Sequence, residues 1–159
     1  MHISAIGQDS HRFEHDSSAK PLVLGGVIFE QYPGLQGNSD ADVILHALTN
    51  AISGLTTVNV LGPVSDKLCL EEGVTDSSVY LRKALESLGA WRLSHVSVSI
   101  EGKRPKLSTH LGAIRASLAG ILDLSQDCIG ITATTGEGLT AFGKGEGLQV
   151  LAIASASRE

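Results

Sequence analysis

At 159 residues the chain is long enough to form one domain with a core of its own, needing no disulfide or metal staple. Hydrophobic residues make up 42% and charged residues 18%, and the net charge of −5 disfavours a nucleic-acid backbone as the main partner. One Trp, two Tyr and three Phe leave little for a base-stacking platform, and no run approaches the roughly 18 apolar residues of a membrane span. The opening MHISAIGQDS lacks the basic and apolar regions of a signal peptide, and Cys69 and Cys128 stand alone with no C-x-x-C pair. A cytoplasmic protein with reduced, structural thiols is expected.

No repeat, linker or low-complexity run divides the sequence, so residues 1–159 read as one domain. HISAIG is a first strand, followed by a loop through QDSHRFEHDSSAK. PLVLGGVIF reads as a hairpin or bent strand, with Gly25 and Gly26 permitting the bend. NSDADVILHALTNAISGL carries a helix start: Ser39 is a good N-cap, and Asp42 three residues on completes an acidic variant of the capping box. At 100° per residue, Ile44, Leu48, Ile52 and Leu55 share one face of that helix. His46 falls nearly opposite, in line with Asp42 and Asn50, and so is not a core residue of its own helix.

TDSSVYLRKALESLG is a second amphipathic helix, with Leu81, Ala84, Leu85 and Leu88 inward and Gly89 at its C-terminal end. HVSVSI alternates Val96, Val98 and Ile100, the pattern of a strand solvated on one face. A third helix follows a basic loop, with Leu107, Leu111, Ile114, Leu118 and Ile121 as its apolar stripe, and CIGITATT and GLQVLAIASAS read as closing strands. The order describes an α/β sandwich, a mixed β-sheet with helices on one face. The other sheet face, rich in Ser, Thr and Ala, needs a partner or solvent.

Three groups of residues could carry chemistry. Asp9 and His11 lie two apart, on one side of an extended segment. With His46 they make an oxygen, nitrogen, nitrogen set of the kind that holds Zn²⁺ with one position open. Asp42, one turn before His46, could accept from its free ring nitrogen. The alternative is three unrelated polar surface residues. The loop EGKRPKLS brings Lys103, Arg104 and Lys106 to the start of a helix, where backbone N–H groups suit a phosphate or pyrophosphate; a solvated charge run is the other reading. ITATTGEGLTAFGKGEGL lets the backbone approach a ligand through its glycines and offers the paired hydroxyls of Thr134 and Thr135, although a hairpin with glycine turns has the same composition.

IGQDSHRF, LVLGGV, NSDADVILHAL, PKL, ATTGEGL and GKGEG, in this order and spacing, resemble the 2-C-methyl-D-erythritol 2,4-cyclodiphosphate synthase family of the non-mevalonate isoprenoid pathway. The resemblance covers essentially the whole chain. It implies a homotrimer of cytoplasmic phosphorus–oxygen lyases with active sites between adjacent subunits, the bare sheet faces packing around the trimer axis. It implies Asp9, His11 and His46 as ligands of Zn²⁺. It places Asn38 and Ser39 at the substrate. Residues Gly102, Lys103, Arg104, Pro105, Lys106, Leu107 and Ser108 become the cytidine-binding segment. Thr134, Thr135 and Gly136 fall at the diphosphate, Thr135 stabilising the transition state, and Glu137 holds a second ion, Mg²⁺ or Mn²⁺, on that diphosphate. Lys144 would contact substrate, with Glu146 beside it near the axis.

The sequence departs from the family's pattern in several places. Asn38 stands where His usually precedes Ser-Asp. The G-D-I-G segment reads LGPVS, so Pro63 replaces the aspartate expected at the ribose. DKLCLEEGVTDS replaces the F-P-D-T-D loop in shorter form, Ala141 stands where a phenylalanine is usual, and Lys144 replaces an arginine. The reading that follows is metal-dependent cyclisation of a cytidine diphosphate substrate with release of CMP. Two rivals remain: a binding module that kept fold and metal but lost turnover, and a metal-dependent phosphohydrolase, for which Glu137 is the only evident general base.

Overall fold

The computed structural model describes residues 1–159. Four strands form a mixed sheet in the order β1 (His2–Arg12), β6 (Gly147–Ser157), β4 (Arg92–Glu101), β5 (Ile129–Thr134). β6 runs antiparallel to both neighbours, and β4 and β5 are parallel, joined across one face by α4 (Leu111–Leu122). The expected sandwich is therefore present, with its helices on one side of the sheet.

β2 (Pro21–Leu24) and β3 (Val27–Pro33) form a separate hairpin. Its turn is Gly25–Gly26, with φ of 59° and 79°, the paired positive values that a two-residue turn matching strand twist requires. α1 (Val43–Thr56) lies across β1 and β6, α3 (Ser77–Glu86) packs on α1, and the short helix α2 (Pro63–Asp66) continues into a π turn at Lys67–Glu71.

Four expectations need correction. β1 does not end at Gly7; its ladder to β6 continues to Arg12 opposite Gly147, so Asp9 and His11 are strand residues on the helix-covered face. The polar alternation from Gln8 to Arg12 reads as loop only while the partner strand is out of sight. The N-cap of α1 is Asp42, whose carboxylate accepts from the N–H groups of Ile44 and Leu45 at 3.1 Å each; Ser39 instead accepts from Ala41 N–H. α4 begins at Leu111, four residues after Leu107, so the basic loop does not run directly into a helix N-terminus. Finally, Ala152, Ala154 and Ala156 point inward and are buried, as do Val96, Val98 and Ile100.

Those inward alanines have a physical purpose. Small residues on β6 let α1 approach the sheet closely, and β1 goes further with Gly7. A Cβ at Gly7 would sit 2.1 Å from the Ala47 carbonyl oxygen and 2.3 Å from Ala51 N, so strand and helix meet backbone to backbone there. On the opposite sheet face, Ile6 stands across from Ile153, with Leu151 two residues along the same strand, all three exposed among Ser4, Gln8, Ser97 and Ser99. No helix covers this face.

Candidate metal centre and active-site clefts

Asp9 and His11 project from β1 toward α1, and His46 projects back from the first turns of α1. Their ligand atoms all lie within 4.8 Å of one another. Asp9 Oδ2 is 2.8 Å from His11 Nε2 and 3.1 Å from His46 Nδ1, and those two nitrogens are 3.4 Å apart. His46 is buried, only 8% exposed, beneath Tyr80 of α3. That revises the reading of His46 as lying off the core. α1 is covered by β1 and β6 on one side and by α3 on another, so its amphipathic pattern does not reveal which residues are enclosed.

The remaining ring nitrogens are also engaged. His11 Nδ1 donates to the Gln36 carbonyl at 2.7 Å, and His46 Nε2 meets Ser77 Oγ at 2.9 Å. Asp42 does not hold His46, as its position one turn earlier had suggested. Its carboxylate accepts from Gly25 N–H at 2.9 Å and Gly26 N–H at 2.7 Å in addition to capping α1, tying the hairpin turn to the helix start. Burial pushes the Asp42 carboxyl up to about 6 against these four donors. At the centre itself, burial would raise the Asp9 carboxyl, but hydrogen bonds from His11 and His46, and their charges, hold it below the usual range. The hydrogen bond to Asp9 raises His11 despite partial burial. One carboxylate and two imidazoles with converging donor atoms and engaged far nitrogens fit a divalent ion with an open fourth position.

The cleft over this centre, about 130 Å³, is lined by His11, Asn38, Ser39, His46, Ser65, Asp66 and Cys69 among others. Asn38 and Ser39 therefore do flank the metal ligands. Pro63 is not part of the lining, whereas Asp66, three residues further, is. The Cys69 thiol donates to the Asn38 carbonyl at 3.3 Å, fastening the altered segment to the edge of the centre.

A second cleft, about 480 Å³, is formed by Gly102, Lys103, Pro105, Lys106, Leu107 and Ser108 with Thr134 and Thr135. It is large enough for a nucleoside, which the metal cleft is not. The loop holding it is fixed from behind: Gly102 N–H donates to the Thr134 carbonyl, Lys103 N–H to the Phe142 carbonyl, and Arg104 stacks on Phe13. Thr135 caps a single 3₁₀ turn, Gly136–Gly138, in which Glu137 has φ 53° and is exposed. Lys144 is exposed beyond the turn, and Glu146 pairs with Arg12 at 2.9 Å. The basic loop and the threonine turn thus share one cleft; the metal ligands line another.

Two residues at the centre escaped the sequence reading, Ser77 and Asp40. Ser77 lies 31 positions from His46, beyond any helical or strand periodicity.

Fold and site together define a class: a small α/β protein that presents a two-histidine, one-aspartate cluster able to hold a metal ion and a separate basic cleft of nucleoside size. The chain belongs to the YgbB family, whose profile matches residues 2–157. It is 53% identical over 149 residues to 2-C-methyl-D-erythritol 2,4-cyclodiphosphate synthase of Chlamydia felis, covering 93% of this chain and 85% of that one. Among solved structures, the bifunctional IspDF from Campylobacter jejuni superposes with TM-score 0.89 at 28% identity, over 100% of this chain and 43% of the bifunctional protein. A 2C-methyl-D-erythritol-2,4-cyclodiphosphate synthase in its CDP-bound form does so with TM-score 0.80 at 31% identity, over 98% of this chain and 100% of that one.

Proposed function

We propose that the chain, as a single domain of residues 1–159, converts 4-diphosphocytidyl-2-C-methyl-D-erythritol 2-phosphate into 2-C-methyl-D-erythritol 2,4-cyclodiphosphate and CMP. The observation that carries this reading is the pairing of a three-ligand metal corner with a separate cleft whose basic loop and threonine turn suit a cytidine diphosphate. The names of relatives about half identical to the chain support it.

An oxygen of the substrate's 2-phosphate attacks the β-phosphorus, the bond from that phosphorus to the bridging oxygen breaks, and the electron pair leaves on CMP. No water is consumed and no protein nucleophile is needed, so the protein's contribution is positioning and charge stabilisation. Residues Gly102 to Ser108 hold the cytidine, with Lys106 at its phosphates. Thr134 and Thr135 donate hydroxyls to the diphosphate, Thr135 where negative charge develops at the reacting phosphorus. Asn38 and Ser39 orient the folded-back phosphate, and Lys144 adds positive charge. Asp9, His11 and His46 would hold a divalent ion, which we take as Zn²⁺, and Glu137 a second, Mg²⁺ or Mn²⁺; bound there, these ions would supply positive charge to offset the substrate phosphates. Asp66, three residues beyond Pro63, supplies a carboxylate to the altered wall of the metal cleft.

The two clefts are separate within one chain, which favours an active site assembled between subunits of a homotrimer packed on the bare sheet face. We place the protein in the cytoplasm. Asn38 and the altered wall at residues 61–72 favour one rival, a binding module without turnover. Incubation of purified protein with the cytidine substrate and Mg²⁺, followed by phosphorus NMR, tests the proposal. Cyclic diphosphate with equimolar CMP is expected; unchanged substrate overturns it in favour of the binding module, and open-chain phosphates overturn it in favour of hydrolysis.

A further inference from the structure

Metal binding would account for Asp9, His11 and His46, but not for a partly buried hydrogen-bond chain that ends on one of them. Asp40 and Ser77 meet where the approach to α1 crosses the start of α3. Asp40 Oδ2 accepts from Ser77 N–H at 3.1 Å, Asp40 Oδ1 accepts from the Ser77 hydroxyl, and Asp40 N–H donates to the Thr75 carbonyl at 2.9 Å. Ser77 is fully buried, and its Oγ is the atom facing His46 Nε2.

Proton counting along this chain has one solution. A carboxylate has no proton to give, so the single Ser77 hydroxyl proton goes to Asp40. Ser77 Oγ therefore offers His46 a lone pair, and Nε2 must be the nitrogen that carries hydrogen. A neutral imidazole has only one N–H, so Nδ1 keeps its lone pair, aimed at Asp9 and at His11 Nε2. His11 obeys the same logic independently, since the Gln36 carbonyl can only accept and fixes the proton on Nδ1. With both rings neutral, two lone pairs 3.4 Å apart beside a carboxylate oxygen repel each other, and either a proton shared with Asp9 or a metal ion between them relieves this.

We propose that Asp40 and Ser77 are positioning residues of the metal centre, locking His46 as the Nε2–H tautomer so that Nδ1 is presented to the ion. This inference rests on the reading of Asp9, His11 and His46 as a metal site. Partners of this kind typically change metal affinity by 10–100-fold when removed.

The test is zinc affinity of the metal-free full chain, by chelator competition, together with nitrogen-15 NMR of its histidine rings. Wild type is expected to bind one zinc and, at alkaline pH where the imidazoles are neutral, to show His46 protonated on Nε2 alone. Ser77→Ala is expected to bind zinc at least 10-fold more weakly, with a second His46 tautomer appearing and cooperative unfolding retained. Asp40→Asn tests the same lock if Ser77→Ala does not fold. Its amide can donate to Ser77 Oγ, freeing the hydroxyl proton to turn onto His46 Nε2, so the Nδ1–H tautomer and a comparable loss are expected. A folded variant that binds zinc within twofold of wild type, with His46 still purely Nε2–H, overturns the inference while leaving the metal reading intact. Wild type that binds no zinc overturns both.

Discussion

The metal corner and the threonine turn stand in opposite states of completion. At the corner, every ligand is at least partly enclosed, Asp9 and His11 each with 22% of the side chain exposed, and the far nitrogen of each imidazole has a partner. At the turn, Thr134, Thr135 and Glu137 are exposed, and the neighbouring Leu139 is 84% exposed. One chain finishes the first and only sets out the second. A cluster that needs fixed geometry is built here from a strand and a helix packed backbone to backbone; the threonine turn, which in the proposed reaction receives a flexible substrate, lies open on a loop.

Breaking assembly is the strongest way to separate the two regions. Ile153→Asp, placing a charge beside Ile6 and Leu151 on the bare face, is expected to leave monomers in sedimentation and abolish CMP release, while zinc binding by each chain persists. Next come paired substitutions. His46→Ala is expected to abolish tight zinc binding and to destabilise the fold by about 1–3 kcal/mol in denaturant unfolding, because Ser77 Oγ, which still donates to Asp40, loses the N–H from which it accepts and a buried ring is removed. Thr135→Ala, at an exposed hydroxyl, is expected to lower turnover by about 100–1000-fold with zinc affinity unchanged and only the small loss of stability expected from removing a cap on a single turn. Unequal behaviour in the reverse sense would dissolve the distinction between a built corner and an open turn.

Asn38 lines the cleft at the metal corner, and its replacement sharpens the comparison. Hydrogen bonds from charged donors contribute roughly 1.5–3 kcal/mol against about 1 for neutral ones. Asn38→His is therefore expected to raise the turnover rate by up to about tenfold, most below pH ~6.5 where imidazole is protonated, and Asn38→Ala to lower it.

The smallest effect is in pH. The folded His11 value is raised above 6.5 by the hydrogen bond to Asp9, so the folded metal-free chain binds the extra proton more readily than the unfolded one. The stability this contributes is fully present below pH 6.5 and lost as pH rises through the folded value. Zinc must displace that proton, so its affinity should run the other way, rising over the same window. Denaturant unfolding of the metal-free chain and zinc titration between pH 6 and 8 check the opposite slopes; parallel slopes would count against His11 as a ligand.

Much of the architecture was legible where burial alternates simply. Val96, Val98 and Ile100 gave β4, and Gly25–Gly26 marked a turn whose conformation those residues favour. What was not legible depended on partners far off in sequence. Asp42 looked like a histidine's hydrogen-bond partner because that role and helix capping need the same residue type; only the approach of the β2–β3 turn decides between them. His46 looked to lie off the core because it falls nearly opposite the apolar face of α1, a helix that is in fact enclosed by β1 and β6 on one side and by α3 on another. The metal triad was proposed on spacing and resemblance, and its ligand atoms do converge. The Asn38 wall was recognised as altered, yet not that Asp66 and Cys69, rather than Pro63, would form it.

The close approach at Gly7 bears on more than packing. Gly7 is two residues before Asp9, and Ala47, which it touches, directly follows His46. The spacing between strand and helix at this point is also the gauge that sets the distance from Asp9 to His46. A methyl group at position 7 would overlap helix backbone, which cannot rotate aside as a side chain can, so the whole helix would have to lift and carry His46 away from its fellow ligands. Residue 7 contributes no atom to the centre and has no chemistry of its own. It nevertheless gauges how closely Asp9 and His46 can converge.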